Sequence, residues 1–318
     1  MLDDYLSNEN YGKKSDNYQY AFIDFDSDQI SEIIFCYGYG IAIVHYENNI
    51  LYGYDKIDKI SNLKLDGTFN GRTDDNYDAI VTLSFNKSTY NKKIISYRYS
   101  SDYFIYGRNV SLDEYNEFLD KQNQKAGLEY TYVYNNEEYN STEFGKINDT
   151  LDEDKNEYKE KIFKVLELYN GPGYGSGVSF CGDVNFDKSI VKENYDHYYF
   201  STNYKSITEL YTYWRDFLSD DFLHQNNNKF IEQDDKLYCY GSGKDGGSIY
   251  NRETSKFTIK NAEEDKLTII GRIFLKDALG YDEYDENSYL DVVFKFTKND
   301  SGNFVVNDFI RFFNMNNN

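Results

Sequence analysis

Asp24, Asp26 and Asp28 stand at alternate positions, and Glu32 follows four residues after the last of them. Carboxylates at positions 1, 3 and 5 of a loop can fold around one point, and a hard cation such as Ca²⁺ takes about six to eight oxygen ligands. The main-chain carbonyl of Ile30, at position 7, and the carboxylate of Glu32, at position 9, would close the shell. Every candidate donor is an oxygen, which ranks Ca²⁺ ahead of softer metals. Ser27 and Gln29 occupy positions 4 and 6, where glycine usually makes the sharp turn. Phe35 is at position 12, so the loop is not an EF-hand. The plainer alternative is an acidic hairpin turn that holds no metal.

Other constellations carry less. Asp183-Val184-Asn185-Phe186-Asp187 repeats the alternation and resembles the opening of a dockerin calcium loop. Lys188 stands where its glycine should be, Val191 where its ninth ligand should be, and no duplicate follows. Cys181 with His197 is the one nucleophile–base pair to weigh, and nothing around Cys181 resembles a protease motif. Carboxylates are too abundant for any pair to stand out for acid–base work. Residues 171–177 are Gly-rich but lack a P-loop lysine. A second Gly-rich stretch, 241–248, joins two expected strands and suits a functional loop.

Composition narrows the function classes. The formal net charge of −21 argues against nucleic acid and anionic membranes, which need Lys and Arg. It suits solubility, cation binding, or a basic protein partner. With 35 Tyr and 23 Phe a large core is available despite low mean hydropathy. Cys36, Cys181 and Cys239 are far apart and odd in number, so each is expected to be a small buried hydrophobe. No apolar run is long enough to span a bilayer. Met1-Leu2-Asp3-Asp4 is not a signal peptide, so the protein is cytoplasmic or lacks its export signal in this chain.

The elements that must hold these residues are mostly strands. Tyr20–Ile23 and Ile33–Phe35 flank the aspartate loop. Strands follow at 41–46, 50–54, 79–85, 93–97 and 103–106. Ser111 and Glu114 form a capping box that opens a helix. A second helix spans 151–169 and stops at Asn170-Gly171-Pro172. Ser206 and Glu209 cap a third, and Ser219 caps a short fourth. An antiparallel meander is expected at 229–233, 236–240, 255–261, 266–276, 288–298 and 303–313. The pattern predicts an α+β protein of two domains, each a mainly antiparallel sheet with few helices. The divisions are a β-rich domain at 1–135, a helical and Gly-rich connector at 136–194, and a helical layer on a curved sheet at 195–318.

Two regions resemble known families. Tyr20 to Ile34, with Phe104-Ile105-Tyr106-Gly107-Arg108-Asn109-Val110-Ser111-Leu112-Asp113-Glu114-Tyr115-Asn116, resembles a D-x-D-G-D-G-x-x-E-L domain of Gram-positive secreted lipoproteins. Tyr204–Leu210, Phe217–Phe222, Phe230–Tyr238 and Phe304–Phe309 resemble the DL-endopeptidase inhibitor (IseA-like) family over about 195–313. That resemblance implies an exported protein without catalytic residues, blocking a basic NlpC-type cysteine endopeptidase of the cell wall. Lys244, Asp245, Asp282, Glu283, Asp285 and Glu286 are then the contact candidates. The alternatives are a Ca²⁺-binding surface module without a hydrolase partner, an enzyme with a pocket in the last domain, and a cytoplasmic acidic immunity protein.

Overall fold

The computed structural model describes residues 17–37, 40–55, 57, 60–87, 89–134, 137–151, 156–168, 180–191, 197–241, 249–276 and 289–313. The fold is α+β and dominated by antiparallel sheets, as the alternation of apolar residues predicts. The chain divides into two compact units, one running to Glu143 and the other covering Phe144–Phe313. Among the described residues no helix is long and apolar enough to cross a membrane.

The first unit has two sheets. One has the order β11-β10-β1-β2-β3-β4 and comprises β1 (Asn17–Ile23), β2 (Glu32–Tyr37), β3 (Gly40–Glu47), β4 (Ile50–Asp55), β10 (Thr131–Tyr134) and β11 (Glu137–Asn140). The other runs in chain order through β5 (Phe69–Arg72), β6 (Asp78–Asn86), β7 (Thr89–Tyr99), β8 (Asp102–Ile105) and β9 (Arg108–Val110). Aromatic side chains join them: Phe85 of β6 packs against Phe25, His45 and Tyr54. Helix α1 (Leu112–Asn123) follows β9, with the Ser111 hydroxyl accepting the Glu114 N–H at 3.2 Å as expected of an N-cap.

The expected boundary at 135 falls inside the β10–β11 hairpin, in which Tyr132 pairs with Tyr139. β11 escapes sequence reading because its residues are polar and only Tyr139 is buried. The segment treated as a connector is also reassigned. Helix α2 (Ser141–Gly145) is followed by α3 (Asn156–Leu168), whose Ile162, Phe163, Val165 and Leu166 lie in the core of the second unit. Arg252 clamps the outer face of α3 through Glu160 and Glu167, and the Lys161 ammonium donates to the Phe304 carbonyl.

The expected single meander proves to be two sheets. β12 (Val184–Val191), β13 (His197–Ser201), β14 (Phe230–Gln233) and β15 (Lys236–Tyr240) form one, in the order β12-β13-β15-β14. β16 (Ile249–Ala262), β17 (Lys266–Lys276), β18 (Tyr289–Lys298) and β19 (Phe304–Phe313) form the other, in chain order. The cause is β13, which takes one edge of β15 and so ends the meander there. Helices α4 (Ile207–Trp214) and α5 (Asp220–Gln225) start at Ser206 and Ser219, whose hydroxyls accept the Glu209 and Phe222 N–H groups. Their junction is pinned to β19 by the Ser219 N–H to Val306 carbonyl bond and the Val306 N–H to Phe217 carbonyl bond.

Cys181 and Cys239 form a disulfide that joins the segment before β12 to β15, with Cα atoms 6.5 Å apart. The expectation of three separate hydrophobes therefore holds only for Cys36, which is buried and free. The disulfide also removes Cys181 from thiolate chemistry, whatever the position of His197.

Candidate metal centre

The aspartate loop joins two neighbouring strands of the first unit. β1 and β2 pair antiparallel, with Ile23 opposite Glu32 at the mouth of the loop. Inside it, Asp24 acts as the cap. Its Oδ1 accepts the Asp28 N–H and its Oδ2 the Gln29 N–H, both at 3.1 Å. Asp28 Oδ1 accepts the Ile30 N–H at 2.7 Å. Asp and Asn side chains commonly bond their own loop backbone in this way, which substitutes for regular pairing.

Ser27 and Gln29, standing where glycine was expected, have φ of 63° and 72°. The left-handed backbone required at those positions is thus present without the residue that adopts it most easily. The result is convergence: Asp24, Asp26 and Asp28 each offer one carboxylate oxygen, and these lie within 4.8 Å of one another. Asp24 and Asp26 are half-buried and Asp28 is exposed, and Asp26 reaches the second sheet. Its Oδ2 accepts the Phe85 N–H at 3.4 Å, while its Oδ1 is buried without a hydrogen-bond partner among the described residues.

Glu32 does not join them. It is fully buried, its Oε2 accepts the Phe25 N–H at 3.1 Å, and its Oε1 lies 2.8 Å from His45 Nδ1. Burial holds its carboxyl above the usual range, with His45 and the Phe25 N–H pulling the other way. Both oxygens are engaged on the interior side of the loop, so the expected ninth-position ligand serves instead as a brace. Ile30 stays in the loop with an exposed side chain.

Phe25 is the anchor between the first two aspartates. Its ring packs against Phe69 and Phe85, and its carbonyl accepts the Thr82 hydroxyl at 3.1 Å. Gly67, at φ +77°, passes so close that a Cβ there would lie 3.0 Å from the Phe25 Cα and carbonyl oxygen. These supports come from residues far away in the chain, and only the apolar character of Phe25 hinted at them.

Three clustered carboxylates repel one another, and a cation among them offsets that repulsion. The buried, unpartnered Asp26 oxygen is the atom that such an ion would satisfy. The donor set is all oxygen and fits Ca²⁺ by chemistry. Asp183, Asn185 and Asp187 behave differently. They run into the bulged start of β12, where the Asn185 side chain accepts the Asp187 N–H. Lys244, Asp245, Asp282, Glu283, Asp285 and Glu286 lie outside the described residues.

A scan against protein-family models and a search of curated proteins both find no match to this chain.

Proposed function

We propose that the protein is an exported binding protein whose first unit holds Ca²⁺ at Asp24, Asp26 and Asp28. The observation that carries this reading is the buried Asp26 Oδ1, which has no hydrogen-bond partner among the described residues and belongs to a carboxylate clustered with those of Asp24 and Asp28 within 4.8 Å. The disulfide between Cys181 and Cys239 supports export, because such bonds persist in oxidising compartments. Calorimetric titration of Ca²⁺ into metal-free protein tests the site. Saturable binding that Asp26→Ala abolishes is expected, and no heat beyond dilution would remove the proposal.

The second unit suits a partner-binding role, and the disulfide favours one partner class, a protein of the same exported compartment. In this reading a basic NlpC-type cell-wall endopeptidase is bound and blocked, consistent with the resemblance over 195–313 and the net charge of −21. Such binding weakens steeply with added salt. Pull-down from a cell-wall extract at low and high ionic strength tests it, and recovery of no hydrolase at either sinks it.

A further inference from the structure

The first unit contains a second concave feature, separate in its residues from the aspartate loop. A cleft of about 480 Å³ is lined by Tyr77, Asp78, Arg98, Tyr103, Tyr115 and Leu119, among others. That volume is within the range of small-ligand sites, about 300–1,000 Å³. One wall is firmly built. Tyr115 of α1 is buried, and its ring lies 5.2 Å from that of Tyr103 in a cluster with Ile105 and Val110. Tyr77 is braced edge-on by Tyr99 at 5.1 Å.

Arg98 is held in place without being neutralised. Its Nε donates to the Ser100 carbonyl at 2.9 Å, and its guanidinium lies 5.6 Å from the Tyr103 ring centre. Arg108, Arg215, Arg252 and Arg272 each pair with a carboxylate, whereas Arg98 and Arg72 pair with none among the described residues, Arg72 donating instead to the Asn76 side-chain oxygen. That is notable in a chain with 55 Asp and Glu against 34 Lys and Arg. Neither terminal nitrogen of the Arg98 guanidinium fork makes a hydrogen bond among the described residues. Asp78 also lines the cleft, next to the register pair Ala79 and Tyr97, and likewise makes no ion pair among the described residues. Burial raises the Tyr115 phenol, Ser96 and Arg98 pull it down, and Asp78 pushes it further up. Both charges therefore act on the same part of the cleft.

We propose that this cleft binds a small zwitterion with an apolar body, namely an amino acid or dipeptide with an aromatic or branched side chain. Its carboxylate takes the Arg98 fork in bidentate fashion, which a planar guanidinium favours. Its ammonium meets Asp78, and its side chain lies against Tyr77, Tyr103 and Leu119. A ligand with negative charge alone would face Asp78 uncompensated, and one with positive charge alone would face Arg98.

The test uses the full chain and the dipeptide phenylalanyl-phenylalanine, followed by calorimetry and saturation-transfer NMR. Its N-acetylated and C-amidated forms serve as comparisons. Saturable binding at one site is expected, with each blocked form weaker by about tenfold. Arg98→Gln should remove the preference for the free carboxylate. Asp78→Asn should weaken the free dipeptide but leave the N-acetylated form unchanged. Both residues are exposed, and an unchanged melting temperature would verify that the fold survives. Arg98→Lys, which keeps the charge and loses the fork, gives an independent reading of the same contact. Absence of saturable binding, equal affinity for all three probes, or wild-type binding by Arg98→Gln would each overturn the proposal. None of these results bears on Ca²⁺ at Asp24.

Discussion

His45 Nδ1 lies 2.8 Å from Glu32 Oε1, one strand away, and both side chains are buried. The pair is not isolated. The His45 ring stacks on Phe85 at 5.2 Å, the Phe85 N–H reaches Asp26, and the second Glu32 oxygen holds the Phe25 N–H. The loop is therefore braced from beneath by residues that no ion need touch.

Removing this brace should be costly. Breaking a buried pair leaves an unpaired polar group, so Glu32→Ala is expected to destabilise the first unit by about 3 kcal/mol. Glu32→Gln keeps an acceptor for the Phe25 N–H and should cost less. Urea midpoints of the two variants, followed by near-ultraviolet circular dichroism, check the order.

The same residue sets a pH dependence. Burial raises the folded-state pKa of Glu32 above its unfolded value. The folded chain then binds this proton more tightly than the unfolded chain, so the contribution is complete below about pH 4.3 and is lost as pH rises through the folded value. Wild-type stability relative to Glu32→Gln should thus improve as pH is lowered from neutrality. Urea unfolding of both proteins at several pH values measures it, and a difference that grows towards high pH would contradict it.

Asp26→Asn should separate metal binding from folding. With saturating Ca²⁺ at a hundredfold excess over Kd, wild type should gain about 2.7 kcal/mol and the variant almost nothing. Without metal the variant should be no less stable than wild type, because one of three mutually repelling carboxylates is gone. Melting curves in Ca²⁺ and in chelator give all four values.

The disulfide closes a long loop, Cys181 and Cys239 lying 58 positions apart in sequence. The chain-entropy model assigns such a link about 4 kcal/mol. Replacing both cysteines with serine should lower the melting of the second unit and leave that of the first unchanged. Calorimetry resolving two transitions tests this, and a shift in both would point to coupling between the units.

Gly271 on β17 faces Phe257, and a Cβ there would lie 2.3 Å from the ring. Phe257 is fully buried in the core with Phe163 of α3 against it, so the ring has little room to move. Gly271→Ala should cost about 1–3 kcal/mol by overpacking. Chemical denaturation of the second unit provides the measurement, and a neutral result would mean the ring can turn aside.

Local chemistry was legible in the sequence, and pairing across the chain was not. The three serine caps can be read because a hydroxyl and the N–H it accepts are three residues apart. The convergence of Asp24, Asp26 and Asp28 is legible for the same reason. The interior place of Glu32 is not legible, because spacing within a loop says nothing of a histidine on the next strand. Cys181 and Cys239 carry no spacing signal at all. Helix α3 could be found from its apolar period, but its allegiance depends on Phe257 and Phe304, which lie roughly a third and nearly half of the chain away.

The position of α3 also decides where the protein can be cut. A fragment starting at residue 195 would match the region of family resemblance, yet it would lose Ile162, Phe163, Val165 and Leu166 from its core. Phe257 would face water on one side, and Cys239 would become an unpaired thiol. Such a fragment should aggregate or crosslink. A fragment that starts at Ser141 instead leaves α2 whole and keeps α3, its clamp and the disulfide with the sheets they hold.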